Sequence, residues 1–162
     1  MNPRPDKYID TEGSEDLGPE LDFLREVWAL DHALQKASKR MKRVIGLTGP
    51  QRLALRLVGR FPGLPAGRLA RLMHLHASTV TGILQRLATR GLLEKGAAAA
   101  DRRRVVLRLT RDGLEMLARP HPTIESTIAA ALAERPSGER KATLVVLRTL
   151  TSRLDSPGVD PR

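Results

Sequence analysis

The sequence predicts a mostly helical α+β protein in which several helices flank one small two-stranded antiparallel hairpin. Apolar residues recur every three or four positions over most of the chain, as they do on one face of a helix. They alternate with other residues only between about positions 92 and 109, as in short strands. The hydrophobic fraction is 41% but the aromatic fraction is 2%, and a core built mainly from Leu, Val, Ile and Ala favours packed helices.

The first predicted helix follows a polar segment. Residues 1–17 combine charge, Gly and Pro with few apolar side chains, and we interpret them as a flexible tail. Pro19 is tolerated in a first turn, so the helix begins at Gly18-Pro19, and its apolar spacing continues for more than six turns to about residue 46.

A second helix is predicted from its start and stop signals. Thr48 is an N-cap candidate, Gln51 stands three residues later to complete a capping box, and Pro50 lies in the first turn. The run Phe61-Pro62-Gly63 should end this helix.

A third, short helix from Pro65 to about Met73 should turn Leu69 and Leu72 inward. A fourth helix follows after a short turn, from about Ser78 to Arg90, and Gly91 is suited to a left-handed C-cap. Its apolar residues fall within one narrow arc that should face the core: Val80, Ile83, Leu84 and Leu87.

The hairpin and the C-terminal helices complete the predicted order. Strands are predicted at residues 92–95 and 105–109, the latter with residues 105, 107 and 109 on one side. Thr110 is a cap candidate for a fifth helix, which Pro120 and Pro122 must end. Helical spacing resumes at residues 124–132 and, after Pro136-Ser137-Gly138, over residues 144–154.

This order, with the third and fourth helices a short turn apart and a hairpin after them, is typical of a winged helix-turn-helix. The polar face of the fourth helix carries hydroxyls, an amide and guanidinium groups that suit base edges and phosphates, and Gly82 there permits close approach. The candidate DNA-binding residues of this recognition helix are Ser78, Thr79, Thr81, Gln85, Arg86, Thr89 and Arg90.

Charge is concentrated around this motif. The chain has a net charge of +10, and residues 36–119 alone carry 19 basic and 4 acidic side chains. Phosphate fits such a segment better than a membrane surface does, since the basic residues are interspersed in helix-turn-helix spacing. An Arg-rich composition with solvated Arg side chains is the open alternative, since 22 of the 28 basic residues are Arg.

Three stretches of the sequence resemble the winged-helix core of the MarR family of transcription regulators, and they lie within residues 47–118: LTGPQRLALRLV, LARLMHLHASTVTGILQRLATRGLLEK and DRRRVVLRLTRDG. The resemblance implies a repressor that binds double-stranded DNA and is not an enzyme. It also implies that Arg103 enters the minor groove and that Asp101 helps to orient the wing. Arg102 and Arg104 point to the other side in strand alternation, and we predict that they contact phosphates.

The flanking helices have apolar stripes too wide for a lobe of about 70 residues to bury alone. We therefore expect residues 18–46 and 119–155 to form a homodimer around the lobe at 47–118, with residues 156–162 as a tail. The resemblance implies the same arrangement, which would present two recognition helices to an inverted repeat.

Family resemblance also implies a small aromatic or anionic effector. Trp28 and His32 lie four residues apart on the first helix, and with Arg52 they form the candidate ligand pocket, although core packing explains the same residues and is the interpretation we favour. His74 and His76 alone do not predict a metal site, and we expect no cofactor and no catalytic residues.

The sequence also predicts a localisation and leaves two other function classes open. There is no apolar run long enough to cross a membrane, no apolar signal region and no Cys, so we expect a cytoplasmic protein. Two alternatives stay open: a winged-helix module that binds structured RNA or another protein, and a small transferase or hydrolase with dispersed residues.

Overall fold

The order of helices and strands follows the order predicted from the sequence, except for one short additional strand between the second and third helices. The structure, a computed structural model, describes residues 17–97 and 105–156. The helices are α1 (Pro19–Ile45), α2 (Gly49–Arg60), α3 (Ala66–Met73), α4 (Ala77–Thr89), α5 (Arg111–Ala118), α6 (Ile124–Ala133) and α7 (Ser137–Asp155). The strands are β1 (Leu64–Pro65), β2 (Leu93–Ala97) and β3 (Val105–Leu109).

The helix termini form where the capping residues predict them. Thr48 and Gln51 make the reciprocal hydrogen bonds of a capping box at the start of α2, and Thr110 accepts a hydrogen bond from the amide of Gly113 in α5. Gly46 and Gly91 have φ angles of +75° and +67°, the left-handed conformation that glycine adopts without steric cost. The predicted caps at Thr48, Gly91 and Thr110 are confirmed, and the left-handed cap at Gly46 was not predicted.

The inward face of α3 differs from the predicted one. Leu69 is buried as expected, but Leu72 is 41% exposed, and Ala70 and Met73 are buried instead. Because successive helical residues are about 100° apart, the arc through residues 69, 70 and 73 leaves position 72 at its edge. The prediction for Leu72 is therefore wrong.

The antiparallel sheet has three strands rather than the predicted two, in the order β1-β3-β2. In β1, Leu64 pairs with Leu107 and Pro65 pairs with Val106. A two-residue strand that contains proline has no alternation to recognise, and proline is tolerated there because β1 is an edge strand. Burial does not alternate along the central strand β3, because Val105 is exposed while Val106 and Leu107 are both buried.

The hydrophobic core is confined to the segment between the end of α1 and β3. None of the buried core residues in the described ranges is aromatic, in agreement with the composition. The largest fully buried side chains are Leu47, Leu55, Leu69, Leu87, Leu107, Val58 and Val80.

The N-terminal part of α1, all of α7 and α6 beyond Ile124, which packs against the core, lie outside this core. The apolar residues of α6 and α7 are not buried, although both helices have the predicted apolar spacing. Large exposed hydrophobic side chains on these three helices include Leu21, Leu24, Trp28, Leu30, Ile128, Leu132, Leu144, Val145, Leu147 and Leu154. No helix in residues 17–97 or 105–156 has both the length and the apolar character that a bilayer crossing needs.

Candidate nucleic-acid interface

Helix α4 separates an apolar face from a polar face. Its inward residues Val80, Ile83, Leu84 and Leu87 are all buried, as predicted. Because these four residues fix the rotation of the helix against the core, the opposite face must point to solvent. All seven predicted recognition-helix residues are exposed: Ser78, Thr79, Thr81, Gln85, Arg86, Thr89 and Arg90.

Two positions on this face bear on what could approach it. The hydroxyl of Thr81 donates to the carbonyl of Ala77 at 2.9 Å, so its oxygen keeps lone pairs that can accept a hydrogen bond. A β-carbon at Gly82 would meet nothing within 4 Å. Packing within the described residues therefore does not require glycine at position 82.

Arg90 is placed differently from the other predicted residues. It caps the C-terminus of α4, and its guanidinium donates to the carbonyl of Gly46 at the end of α1. Arg90 therefore joins α4 to α1, a contact across 44 residues that the sequence pattern did not indicate. Gln85, Arg86, Thr89 and Arg90 line a cavity of about 650 Å³ together with the end of α1 and the start of α2.

The predicted wing contacts lie outside the described residues. These are Asp101, Arg102, Arg103 and Arg104, so their roles remain predictions. The strands that lead to them are described, and the sheet adds two exposed cations that the sequence analysis did not single out, Lys95 on β2 and Arg108 on β3. Their position in a hairpin that follows the recognition helix in the sequence could have identified them as candidate DNA contacts.

The three residues of the candidate ligand pocket lie in different environments. Trp28 is 64% exposed and His32 is exposed, whereas Arg52 is only 4% exposed. None of the three lines the cavity of about 360 Å³ between α1 and α6. That cavity is mainly apolar, with Leu34 and Ile128 in its walls and Arg40 as its one cation among the described lining residues.

The guanidinium of Arg52 is already engaged within the chain. Its Nε is hydrogen-bonded to Glu125 of α6, and its Nη1 donates to the carbonyl of Met116 at 3.4 Å. Burial alone raises the pKa of Glu125, but its backbone hydrogen bond and the adjacent Arg52 guanidinium outweigh burial and lower the pKa. The sequence analysis missed Glu125, because nothing in the pattern relates residues 73 positions apart.

Sequence comparisons agree with this geometry. The sequence model of the MarR family matches residues 45–104, which include α2, α3, α4 and β2. The organic hydroperoxide resistance transcriptional regulator of Bacillus subtilis is 29% identical over 87 residues, 54% of this chain and 59% of that protein. The HTH-type transcriptional repressor NicR of Pseudomonas putida is 30% identical over 81 residues, 50% of this chain and 51% of that protein. The match thus spans between half and three fifths of each curated relative.

Solved structures resemble the chain over a longer range. The Staphylococcus aureus MepR–DNA complex has a TM-score of 0.70 at 18% identity and covers 85% of this chain and 100% of that one. PcaV of Streptomyces coelicolor, solved with its natural ligand, has a TM-score of 0.63 at 23% identity and covers 88% and 99%. At these identities the likeness concerns the fold, and it confirms the predicted winged helix-turn-helix. A probable transcriptional regulator from Pseudomonas aeruginosa is 32% identical over 78% of this chain and 93% of its own, with a TM-score of 0.52.

Proposed function

The chain belongs to the MarR family of transcription regulators, and we propose that it is a sequence-specific repressor that binds double-stranded DNA as a homodimer. The observation that carries this proposal is the face of α4, where polar and cationic side chains are exposed above a buried apolar face. The strongly basic segment at residues 36–119 includes this helix and supplies the long-range attraction to phosphate.

We assign direct base contacts to the outward face of α4. Gln85 has the amide geometry for a bidentate hydrogen bond to adenine, and Ser78, Thr79 and Thr81 offer hydroxyls to base edges or phosphates. Gly82 leaves room for the helix to lie close to the floor of the major groove. In the wing, Arg103 enters the minor groove, Asp101 orients the wing, and Arg102 and Arg104 contact phosphates.

The homodimer is supported by the exposed apolar faces outside the lobe. In α6 and α7 no residue is buried within one protomer, and Leu154 is 84% exposed. Monomeric proteins rarely expose contiguous apolar patches of this kind. Residues 18–46 and 119–155 therefore pair with those of a second copy, and the two lobes at 47–118 would meet half-sites about 34–36 Å apart.

A small aromatic or anionic effector would release the DNA. The cavity between α1 and α6 supports this part of the proposal, because its apolar walls suit a ring and Arg40 suits a carboxylate. This lining differs from the predicted set Trp28, His32 and Arg52. The regulatory role requires the effector to bind the two arrangements of the lobes with unequal affinity.

We also infer that the protein works in the cytoplasm and is not an enzyme. A cytoplasmic location gives the protein access to chromosomal DNA. The curated relatives are transcription regulators rather than enzymes.

The test is selection of fragments from the genome that encodes the protein, followed by binding measurements on recovered and scrambled duplexes. We expect recovered fragments to share an inverted repeat whose half-sites are about 10 bp apart. Equal affinity for every duplex sequence would instead favour the alternative, a module that recognises structured RNA or another protein. Light scattering at micromolar concentration checks the dimer, and a monomer mass would contradict it.

A further inference from the structure

The cavity beside the second half of α4 is lined by three cationic side chains from two helices. Lys42 lies in the last turn of α1, Arg86 lies on α4, and Arg90 caps α4. All three are exposed, and none has a carboxylate partner within 4 Å in residues 17–97 or 105–156. Because the like charges around one cavity repel one another, this arrangement favours a bound anion.

Arg90 is held in place at this cavity. Its guanidinium donates to the carbonyl of Gly46, and a β-carbon at Gly46 would lie 2.8 Å from its Nη2. Arginine has five N–H donors in a fixed plane, so the bond to Gly46 orients the group and leaves other donors for a ligand. The planar guanidinium suits bidentate contact with a phosphate.

The first turn of α2 borders the same cavity, but its amides are not available to a ligand. Gly49 N–H donates to Ser38 Oγ at 2.8 Å, Gln51 N–H to Thr48 Oγ1 at 3.4 Å and Arg52 N–H to the Thr48 carbonyl at 3.0 Å. Residue 50 is a proline and has no amide hydrogen. The helix therefore adds only the field of its positive end, and donors for an anion must come from the side chains.

The cavity is continuous with the face of α4 proposed to enter the major groove. Gln85 and Thr89 belong to that exposed face, and both also line the cavity. A duplex that receives this face in its major groove has a strand backbone running beside the helix, on the side where Lys42 lies.

We propose that this cavity seats one phosphate of the DNA backbone and that Lys42 is a phosphate ligand supplied by α1, outside the helix-turn-helix and the wing. The proposal rests on the proposed function, since the anion belongs to the duplex that α4 reads. It makes α1 a direct part of the DNA interface as well as of the dimer.

The simpler explanation for Lys42 is its position at a helix C-terminus, where cations interact favourably with the helix dipole. Arg43 lies in the same last turn of α1 and is exposed, but it does not line the cavity. Arg43→Gln is therefore a matched control, because it removes the same charge from the same helix end.

The experiment compares wild type, Lys42→Gln and Arg43→Gln on one duplex recovered by selection, with affinity measured at several salt concentrations. We expect Lys42→Gln to reduce the slope of log affinity against log salt by about 0.9, the contribution of one phosphate on B-DNA. Arg43→Gln should keep the wild-type slope. Preference among duplex sequences should be unchanged in Lys42→Gln, because a phosphate carries no sequence information.

A second arm locates the phosphate with single neutral methylphosphonates placed along each strand. At one position beside the major groove, wild type should lose more affinity than Lys42→Gln does, because the variant has already lost one of the three cations around that phosphate. The seat would be overturned if both variants kept the wild-type salt slope or if both lost slope equally. It would also be overturned if no methylphosphonate position distinguished wild type from Lys42→Gln. Each of these outcomes leaves the proposed function intact. If inorganic phosphate raises the melting temperature of wild type but not of Lys42→Gln, with DNA affinity unaffected, the seat takes a free anion and the DNA assignment is wrong. Failure of wild type to bind any recovered duplex would remove the proposed function and the seat together.

Discussion

Arg52 of α2 and Glu125 of α6 form an ion pair that joins the helix-turn-helix lobe to the C-terminal helices. The side chain of Arg52 is 5% exposed and that of Glu125 is 29% exposed, and Arg56 lies 3.9 Å from the same carboxylate oxygen. Beside this pair, Gly49 packs closely against Ser38 and Ile124. The first turns of α2 and α6 therefore meet at one polar contact, and this contact connects the helix-turn-helix lobe to the C-terminal helices.

The first prediction is that Glu125→Gln lowers the free energy of unfolding by about 2 kcal/mol. It leaves the buried Arg52 charge without a counter-charge, and the loss falls below the roughly 3–5 kcal/mol of a fully buried pair because Glu125 is partly exposed. Glu115→Gln is the control, because it breaks the exposed pair Arg111–Glu115, where about 0.3–0.5 kcal/mol is at stake. Urea unfolding at one fixed protein concentration measures both, and equal losses would show that the buried pair has no special weight.

The second prediction concerns the pH dependence of this difference. The pKa of Glu125 is lowered in the folded protein, so its stabilising contribution is complete above the unfolded value of about 4.3. The contribution falls as the pH drops through the lowered pKa. The gap in urea midpoint between wild type and Glu125→Gln should stay constant from pH 7 to 5.5 and shrink below about pH 4. A gap that grows on acidification would contradict the sign of the shift.

Local sequence signals predicted most of the fold because they act within a few residues. The box of Thr48 and Gln51, the left-handed Gly91 and the apolar arc of α4 each need only a short window, and each was found where expected. Strand β1 was missed because its two residues form a strand only by pairing with β3, more than 40 positions later. The Arg52–Glu125 and Arg90–Gly46 contacts were missed for the same reason.

The third prediction concerns Gly113 in α5, which packs tightly, unlike Gly82 in α4. A β-carbon at Gly113 would lie 2.0 Å from the carbonyl oxygen of Leu92, the residue before β2, so Gly113→Ala must displace α5 from Leu92. We expect a loss of about 2–3 kcal/mol, in the range for overpacking. Thermal unfolding should show a clear decrease, and unchanged stability would mean that α5 does not approach Leu92 so closely.

The fourth prediction is that Gly82→Ala raises stability and weakens DNA binding. A β-carbon at position 82 meets nothing within 4 Å, and alanine in a helix interior gains about 0.8–1.0 kcal/mol over glycine. The same methyl group would stand on the face proposed to approach the bases.

Gln85→Ala, by comparison, should reduce discrimination between operator and scrambled DNA by about 1–3 kcal/mol per base contact. If both variants bind and discriminate as wild type does, this face of α4 is not the recognition surface.

The fifth prediction concerns the wing, where three consecutive arginines follow Asp101. Arg103 should insert into a minor groove that A·T-rich flanks make narrow and more negative, so Arg103→Ala should weaken binding most on such flanks. Arg102→Ala and Arg104→Ala should weaken all sites to a similar degree and reduce the salt slope by about one unit each, because phosphates do not vary with sequence. Titrations of the three variants against operators with A·T or G·C flanks, at several salt concentrations, distinguish the two roles. Equal small losses in all three would mean that the wing arginines are solvated and that α4 and its flanking cations carry the binding.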